Sequence, residues 1–334
     1  MKSSKIKVAV VGYGYWGPNI VRNFLKNSDC IVNTIVDNDQ SKLILAKNNY
    51  PNINTTQNIQ QVLDDSSIDC IAICTPVHTH YNLVKLALES KKHVLVEKPL
   101  TDAFKTSKNL IELAKKVNRI LIVDNTYLYT PAVQKISKII KSNSFGEIQY
   151  LDSTRINLGK FQNDINVLWD LATHDISICL YLIDELPISV QAIGKSHIEN
   201  GLEDISYLTL HFKSNMIAHF NCSWISPVKI RHMLIGGTKQ MIVFNDLEST
   251  EKLKIYNSSN QKKSNAILTD YRIGDVFIPK LEMTEGLSNL VSDFVSAIKY
   301  NKKPISSNDL SLTIVKILEC AQKSIKNNGK LIKL

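Results

Sequence analysis

No apolar run in this chain approaches the roughly 20 residues that a membrane-spanning helix needs, so no membrane partner is expected. Nothing at the N-terminus looks like a secretory leader either, because the chain passes within a few residues into a strand-like run, Val8 to Val11. The six cysteines (Cys30, Cys70, Cys74, Cys179, Cys222 and Cys320) contain no C-x-x-C pair, and several sit in apolar runs. That usage excludes a disulfide framework and points to reduced thiols in a cytoplasmic protein. No compact set of His, Cys, Asp and Glu offers the three or four converging ligands of a metal site, so no metal is expected. The formal net charge is +9, from 40 Lys plus Arg against 31 Asp plus Glu, yet the lysines are scattered and no basic run alternates with aromatics. Nucleic acid is therefore not the expected partner, and an anionic small molecule suits the balance as well. There is no internal repeat. An apolar fraction of 44% and a charged fraction of 21% describe an ordinary globular protein. At 334 residues it exceeds what one core usually serves, and the change of pattern near Asn125 predicts two domains, 1–124 and 125–334.

What is present begins with KVAVVGYGYWGPNIVRNF, Lys7 to Phe24. Val8 to Val11 reads as a buried parallel strand. Gly12, Gly14 and Gly17 follow in the spacing G-x-G-x-x-G, and Pro18 stands where a first helical residue would be. The first glycine permits a tight turn, the second lets a pyrophosphate approach the backbone, and the third lets helix and strand pack closely. The helix N-terminus would face the phosphate charge. A second strand-like run, Ile31 to Val36, ends at Asp37, twenty residues after Gly17. A carboxylate there accepts hydrogen bonds from the adenosine ribose and repels a 2′-phosphate, which selects NAD over NADP.

Strand and helix patterns then alternate with short connections. Helices are predicted over 41–48, 59–63, 81–90 and 103–117, and strands near 53 and over 68–74, 93–96 and 120–123. That order predicts a doubly wound parallel sheet whose ligands lie beyond the strand C-termini. After Asn125 come helices over 131–142 and 167–183, with a strand over 147–157 between them. From Ser189 to Tyr256 strands dominate, predicting a largely antiparallel open sheet and an α+β second domain. Two amphipathic helices, 286–300 and 310–326, finish the chain, and the polar stretch Asn257 to Asn265 reads as a loop.

Three groups could carry chemistry. Glu97-Lys98-Pro99 closes a buried strand. A lysine there either stabilises oxyanion character on a substrate or is a surface lysine in a turn. In Trp169-Asp170-Leu171-Ala172-Thr173-His174-Asp175, Asp170 and His174 are four apart, on one face of a helix. They form either a general base with its orienting carboxylate or a structural pair. In Thr75-Pro76-Val77-His78-Thr79-His80, Thr75 and Pro76 end a strand where a nicotinamide edge would lie, and His78 or His80 either touches a cofactor or caps the next helix.

Taken together, GYGYWG (12–17), CTPVHTH (74–80), VLVEKPL (94–100) and WDLATHD (169–175) make nearly the whole chain resemble the glucose–fructose oxidoreductase, inositol dehydrogenase and MocA (Gfo/Idh/MocA) family. The resemblance implies an N-terminal Rossmann domain binding NAD and a C-terminal domain whose open sheet serves homodimer or homotetramer formation. It also implies a catalytic set of Lys98, Asp170 and His174, and a cis Lys98–Pro99 peptide. Cofactor contacts carry over to Gly12, Gly14, Tyr15, Trp16, Gly17, Asp37, Thr75, Pro76, His78, His80, Glu97 and Lys98. The family often has Asn where this chain has Val77. GYGYWGPN followed by INVLWDLATHDIS is similar to the branch acting on nucleotide-linked sugars, implying oxidation at C3 of a UDP-linked sugar such as UDP-N-acetylglucosamine or its uronate, in surface-polysaccharide synthesis. The alternatives are a free polyol such as an inositol, or a non-catalytic NAD-binding regulator. Arg155 and Asn157, before the catalytic helix, are the candidate contacts to diphosphate or sugar, with a surface ion pair as the other role for Arg155. Tyr127 either lines the pocket or packs.

Overall fold

The computed structural model describes residues 5–159, 161–162, 164–198, 201–261, 270–272 and 274–334. The chain forms two compact units, Met1–Thr130 with Thr284–Val315, and Pro131–Met283 with Lys316–Leu334.

In the first unit the strands are β1 (Ile6–Val11), β2 (Cys30–Val36), β3 (Asn54–Thr56), β4 (Cys70–Ile73), β5 (His93–Glu97) and β6 (Leu121–Asp124). They alternate with helices α1 (Gly17–Lys26), α2 (Gln40–Asn49), α3 (Ile59–Asp64), α4 (Val77–Glu89) and α5 (Phe104–Lys116). All six pair in parallel in the order β3-β2-β1-β4-β5-β6. Every residue of β4 is buried, as is nearly all of β1, which is what strands covered by helices on both faces require. The strand order reverses between β1 and β4, the topological switch point at which ligands bind in such sheets.

Helix Gly286–Tyr300, expected in the second domain, belongs to this unit. It packs on α1 through an edge-to-face pair, Phe24 on Phe294, with ring centroids 6.3 Å apart. Arg22 donates from both terminal nitrogens to Glu285, at 2.8 and 2.6 Å. Lys299 reaches Asp29 at 2.6 Å. Helix α4 begins at Val77, four residues earlier than predicted, so His78 and His80 lie within it rather than ahead of it.

In the second unit, helix α6 (Pro131–Ile140) precedes strand β7 (Ile148–Leu158), and a π-helical turn, Leu168–Ala172, runs into α7 (Thr173–Leu182). Strands β8 (Pro187–Lys195), β9 (Ile205–Phe212), β10 (Ile217–Ser223), β11 (Ile225–Gly237), β12 (Met241–Asn245) and β13 (Leu253–Tyr256) follow. With the short strands Val276–Phe277 and Ile332–Lys333 at its edges, this sheet has nine strands, in the order Val276–Phe277, β13-β12-β11-β7-β10-β9-β8, Ile332–Lys333. Every pairing is antiparallel except β7 with β10. Burial alternates along β9 and β10, burying Leu208, Leu210, Ala218 and Phe220 on one face and leaving Tyr207 and Ile217 on the other. Part of the loop expected over Asn257–Asn265 lies outside the described residues; within them, Ser259–Gln261 pairs with Asp270–Arg272 as an antiparallel ribbon.

Candidate active site

The turn after β1 has the geometry its glycines imply. Gly12 holds φ +94°, and a Cβ on it would stand 2.8 Å from the Cys74 carbonyl oxygen. A Cβ on Gly17 would meet the Gly12 carbonyl oxygen at 2.2 Å. At Gly14 a Cβ would meet nothing within 4 Å, so this glycine keeps open the space beside the backbone rather than avoiding a protein neighbour. No side chain caps α1, and Pro18 occupies its first turn. Pro18 has no N–H and Asn19 N donates to the Trp16 carbonyl oxygen, so the Gly17 N–H and the helix dipole are what this end offers an anion. An open cradle, a bare helix N-terminus and an acid at the tip of β2 fit a dinucleotide.

Asp37 also builds that turn. Tyr13 N donates to its Oδ2 at 2.6 Å, and Asp39 N donates to its Oδ1 at 2.9 Å. Tyr15 stands 83% exposed on the loop, its ring stacked on Trp16 at 6.4 Å. Trp16 Nε1 donates to Asp124 Oδ2 at 3.2 Å, tying the glycine loop to the end of β6. Asp124 also accepts from the Thr126 hydroxyl.

At the ends of β4 and β5, the Thr75 hydroxyl shares a hydrogen bond of 2.6 Å with Thr79, Pro76 is exposed, and His78 is exposed on the first turn of α4. His80 requires a correction. It is 1% exposed, with Nδ1 3.0 Å from the Pro99 carbonyl oxygen and Nε2 2.8 Å from that of Thr75. Burial pushes its pKa below the usual histidine value, against the pull of those carbonyls. Both ring edges are committed to backbone, so His80 braces the two strand-to-helix turns instead of reaching a cofactor. Lys98 is half-buried, and its peptide to Pro99 is cis. Glu97 Oε2 accepts from Lys98 N at 3.2 Å, while burial and the neighbouring Asp124 raise the Glu97 pKa well above the carboxylate range. Tyr127 is half-buried on a single helical turn, Thr126–Tyr129, where its carbonyl accepts from the Thr130 amide and hydroxyl.

In the second unit, Asp170 lies on the π-helical turn and His174 on the first turn of α7, both half-buried. The sequence predicts one regular α-helix here; a wider turn intervenes, a feature frequent at functional sites. Asn166 anchors its start. Its Oδ1 accepts from Trp169 N at 3.1 Å, and its Nδ2 donates to Glu203 and to Gln322, both at 2.6 Å. Trp224, fully buried at the end of β10, donates from Nε1 to Asp170 Oδ2 at 3.1 Å. A Cβ on Gly159 would stand 2.9 Å from Trp224 Cδ1 and 2.8 Å from Asn157 Nδ2, which places half-buried Asn157 close to the tryptophan that holds Asp170.

Arg155 is the second correction. It is neither a surface residue nor open to a diphosphate. Its guanidinium is 5% exposed and grips the Asp175 carboxylate, Nε at 3.0 Å from both oxygens and Nη2 at 2.6 Å from Oδ1. Residues 155 and 157 project from the same face of β7, but Arg155 faces α7, whose own Asp175 claims its donors. Trp224 and Asp124 are the site-forming residues that sequence reasoning missed. Asp124 carried a signal, an acid ending a buried parallel strand just as Glu97 does. Among the described residues, no group of three or more His, Cys, Asp and Glu could hold a metal ion, and no helix is long and apolar enough to cross a membrane.

Residues 6–125 match a family model described as oxidoreductase family, NAD-binding Rossmann fold, and residues 133–243 match the GFO/IDH/MocA C-terminal domain. Among curated relatives, 2,7-anhydro-N-acetylneuraminate hydratase of Escherichia coli is 22% identical over 75% of this chain and 70% of its own length. UDP-N-acetylglucosamine 3-dehydrogenase of Acidithiobacillus ferrooxidans is 26% identical over 51% of this chain and 53% of its own, so the match spans about half of that enzyme. Myo-inositol 2-dehydrogenase of Thermotoga maritima is 22% identical over 79% and 78%. The solved structure of the Acidithiobacillus enzyme superposes with a TM-score of 0.83 at 18% identity, covering 97% of this chain and 99% of that one.

Proposed function

The chain belongs to the Gfo/Idh/MocA family of NAD-binding oxidoreductases, and on that premise we propose that it oxidises a sugar hydroxyl reversibly, at C3 of a UDP-linked sugar of the N-acetylglucosamine or uronate type. Gly12, Gly14, Gly17 and the start of α1 would hold the pyrophosphate, with Tyr15 and Trp16 on the same loop, Asp37 on the ribose, and Thr75, Pro76 and His78 at the nicotinamide end. Bound NAD supplies the hydride acceptor. His174 takes the hydroxyl proton on an imidazole nitrogen. Asp170, fixed by the Trp224 N–H, orients the imidazole and favours its charged form. Lys98 hydrogen-bonds the same substrate oxygen and stabilises its developing negative charge.

The observation that carries this assignment is Asp170, anchored by a buried tryptophan on a widened turn immediately ahead of His174. A carboxylate pinned that way is set to orient a neighbour. Asn157 and Tyr127 are the proposed sugar contacts.

The UDP-sugar substrate is supported by the Acidithiobacillus relative and by the +9 charge, which favours a dianionic ligand. A free polyol is the second reading. It is favoured by the longer match to the inositol enzyme and by the removal of Arg155 as a diphosphate contact. Purified protein is incubated with NAD and, in turn, UDP-N-acetylglucosamine, its uronate, and free inositols, and NADH absorbance is followed. Turnover confined to UDP-sugars supports the first reading, turnover confined to polyols the second. Silence with every sugar in both directions supports a non-catalytic regulator. We further place the protein in the cytoplasm as a homodimer or homotetramer joined through the outward face of the nine-stranded sheet, where Tyr207, Ile217 and Ile193 are exposed. Light scattering on purified protein checks the assembly.

A further inference from the structure

One acidic pair, a buried Asp124 with a half-buried Glu97, takes no proton or hydride in the chemistry above. Glu97 and Asp124 are register partners at the C-terminal ends of β5 and β6, so their side chains leave the sheet on the same face. Asp124 is 3% exposed, and the two carboxyls lie within hydrogen-bonding reach of each other. Their donors are unequal. Asp124 receives Trp16 Nε1–H on one oxygen and the Thr126 hydroxyl on the other, the pattern of a carboxylate. Glu97 receives the Lys98 N–H on Oε2, a single backbone donor among the described residues. Its Oε1 is buried and has no partner among the described residues, an arrangement that an ionised oxygen would make costly.

The charged and titratable groups around the pair are few. Lys98 follows Glu97 directly and its charge favours ionisation; Cys74 faces the pair from the end of β4; Tyr129 faces Asp124 from the turn after β6. Burial raises both acids, and for Glu97 the charge of Asp124 adds to the effect.

We propose that Glu97 and Asp124 hold a single proton between them at neutral pH, carried by Glu97, so that the pair bears one negative charge rather than two. The pair is a positioning device. Through Trp16 it holds the glycine loop, and through the Lys98 amide it holds the turn that presents the lysine. A doubly ionised pair would bring two like charges together at the root of that turn. The positional role rests on the reading of Lys98 given above; the shared proton does not.

Infrared difference spectroscopy on the full-length protein tests the proton directly. The expected result is a protonated-carboxyl C=O band at pH ~7 that shifts in D2O, is lost in Glu97→Gln, and titrates with a lower midpoint in Asp124→Asn, where the neighbouring charge is gone. A role in packing alone would leave that midpoint unmoved. Thermal unfolding gives a second readout. An acid whose folded pKa is raised contributes stability that is fully present below its unfolded value, about 4.3, and is lost as pH rises through the folded value. Glutamine does not titrate, so the Tm of Glu97→Gln minus that of wild type should grow as pH rises from about 5 to about 9. Absence of the band, an unshifted midpoint in Asp124→Asn, or a Tm difference that is flat or shrinks with pH overturns the proposal. If Glu97→Gln does not fold, the wild-type band and its shift in Asp124→Asn decide. None of these measurements uses substrate. Sugar turnover without the band removes the shared proton and keeps the proposed function; the band without turnover does the reverse.

Discussion

Two pairs of charged residues set into the ends of strands or helices, one in each unit, meet the cost of burial in opposite ways. Arg155 and Asp175 are both almost fully buried and lie in a fork of hydrogen bonds, cation against anion. Glu97 and Asp124 are like charges, burial raises both, and the proposed answer there is a shared proton instead. Each stands directly behind a proposed catalytic side chain, since Lys98 follows Glu97 and His174 precedes Asp175. The difference teaches what each catalytic neighbour is given. On the lysine side the proposed shared proton leaves one net negative charge beside Lys98 rather than two. On the histidine side the pair is neutral overall, and the proposed orienting charge is that of Asp170.

The largest expected effects lie in front of the pairs. Lys98→Ala and His174→Ala should each lower turnover by ~100- to 10,000-fold while NAD binding, followed by titration calorimetry, survives. Near-normal rates in both would dissolve the catalytic set. Next is the ion pair. Arg155→Met strands a buried carboxylate and should cost about 3–5 kcal/mol in denaturant unfolding. The double variant Arg155→Met with Asp175→Leu should recover most of that loss. A double variant no better than the single one would mean that the pair is held for something other than its charges. Trp224→Phe keeps an aromatic ring, though a smaller one, but removes the donor to Asp170, and should lower kcat more than it raises KM. An effect on KM alone would cut the tryptophan out of the orienting chain. The smallest expected effect is at the cofactor loop, where Asp37→Ala should loosen the preference for NAD over NADP in coenzyme titrations. An unchanged preference would reduce Asp37 to its bonds with Tyr13 and Asp39.

The first unit's sheet was legible in the sequence because parallel strands are buried on both faces and read as unbroken apolar runs, as in Val8–Val11 and Cys70–Ile73. Gly12, Gly14 and Gly17 each stand in the environment their spacing implies. The second unit's strands were legible from alternation and its mostly antiparallel pairing from short turns. The parallel contact of β7 with β10 was not, because nothing local marks which strands become neighbours. Long-range choice also explains the misplaced residues. Arg155 looks like a free phosphate-binding fork until α7 folds onto β7 and brings Asp175. His80 looks like a ligand-facing histidine until α4 starts four residues early and turns the ring toward two carbonyls. The π-helical turn at Asp170 leaves no compositional trace, since the same residues satisfy an α-helical pattern.

The return of helix Gly286–Tyr300 to the first unit has a consequence for synthesis. When a ribosome has produced residues up to 130, the glycine loop and all six parallel strands have been made, but α1 lacks Phe294 of that helix, which Phe24 meets, and Glu285 at its cap, which Arg22 and Asn23 meet. The first unit therefore stays unfinished until residues 284–315 have been made, and residues 131–283 must emerge while it waits with an apolar flank bare.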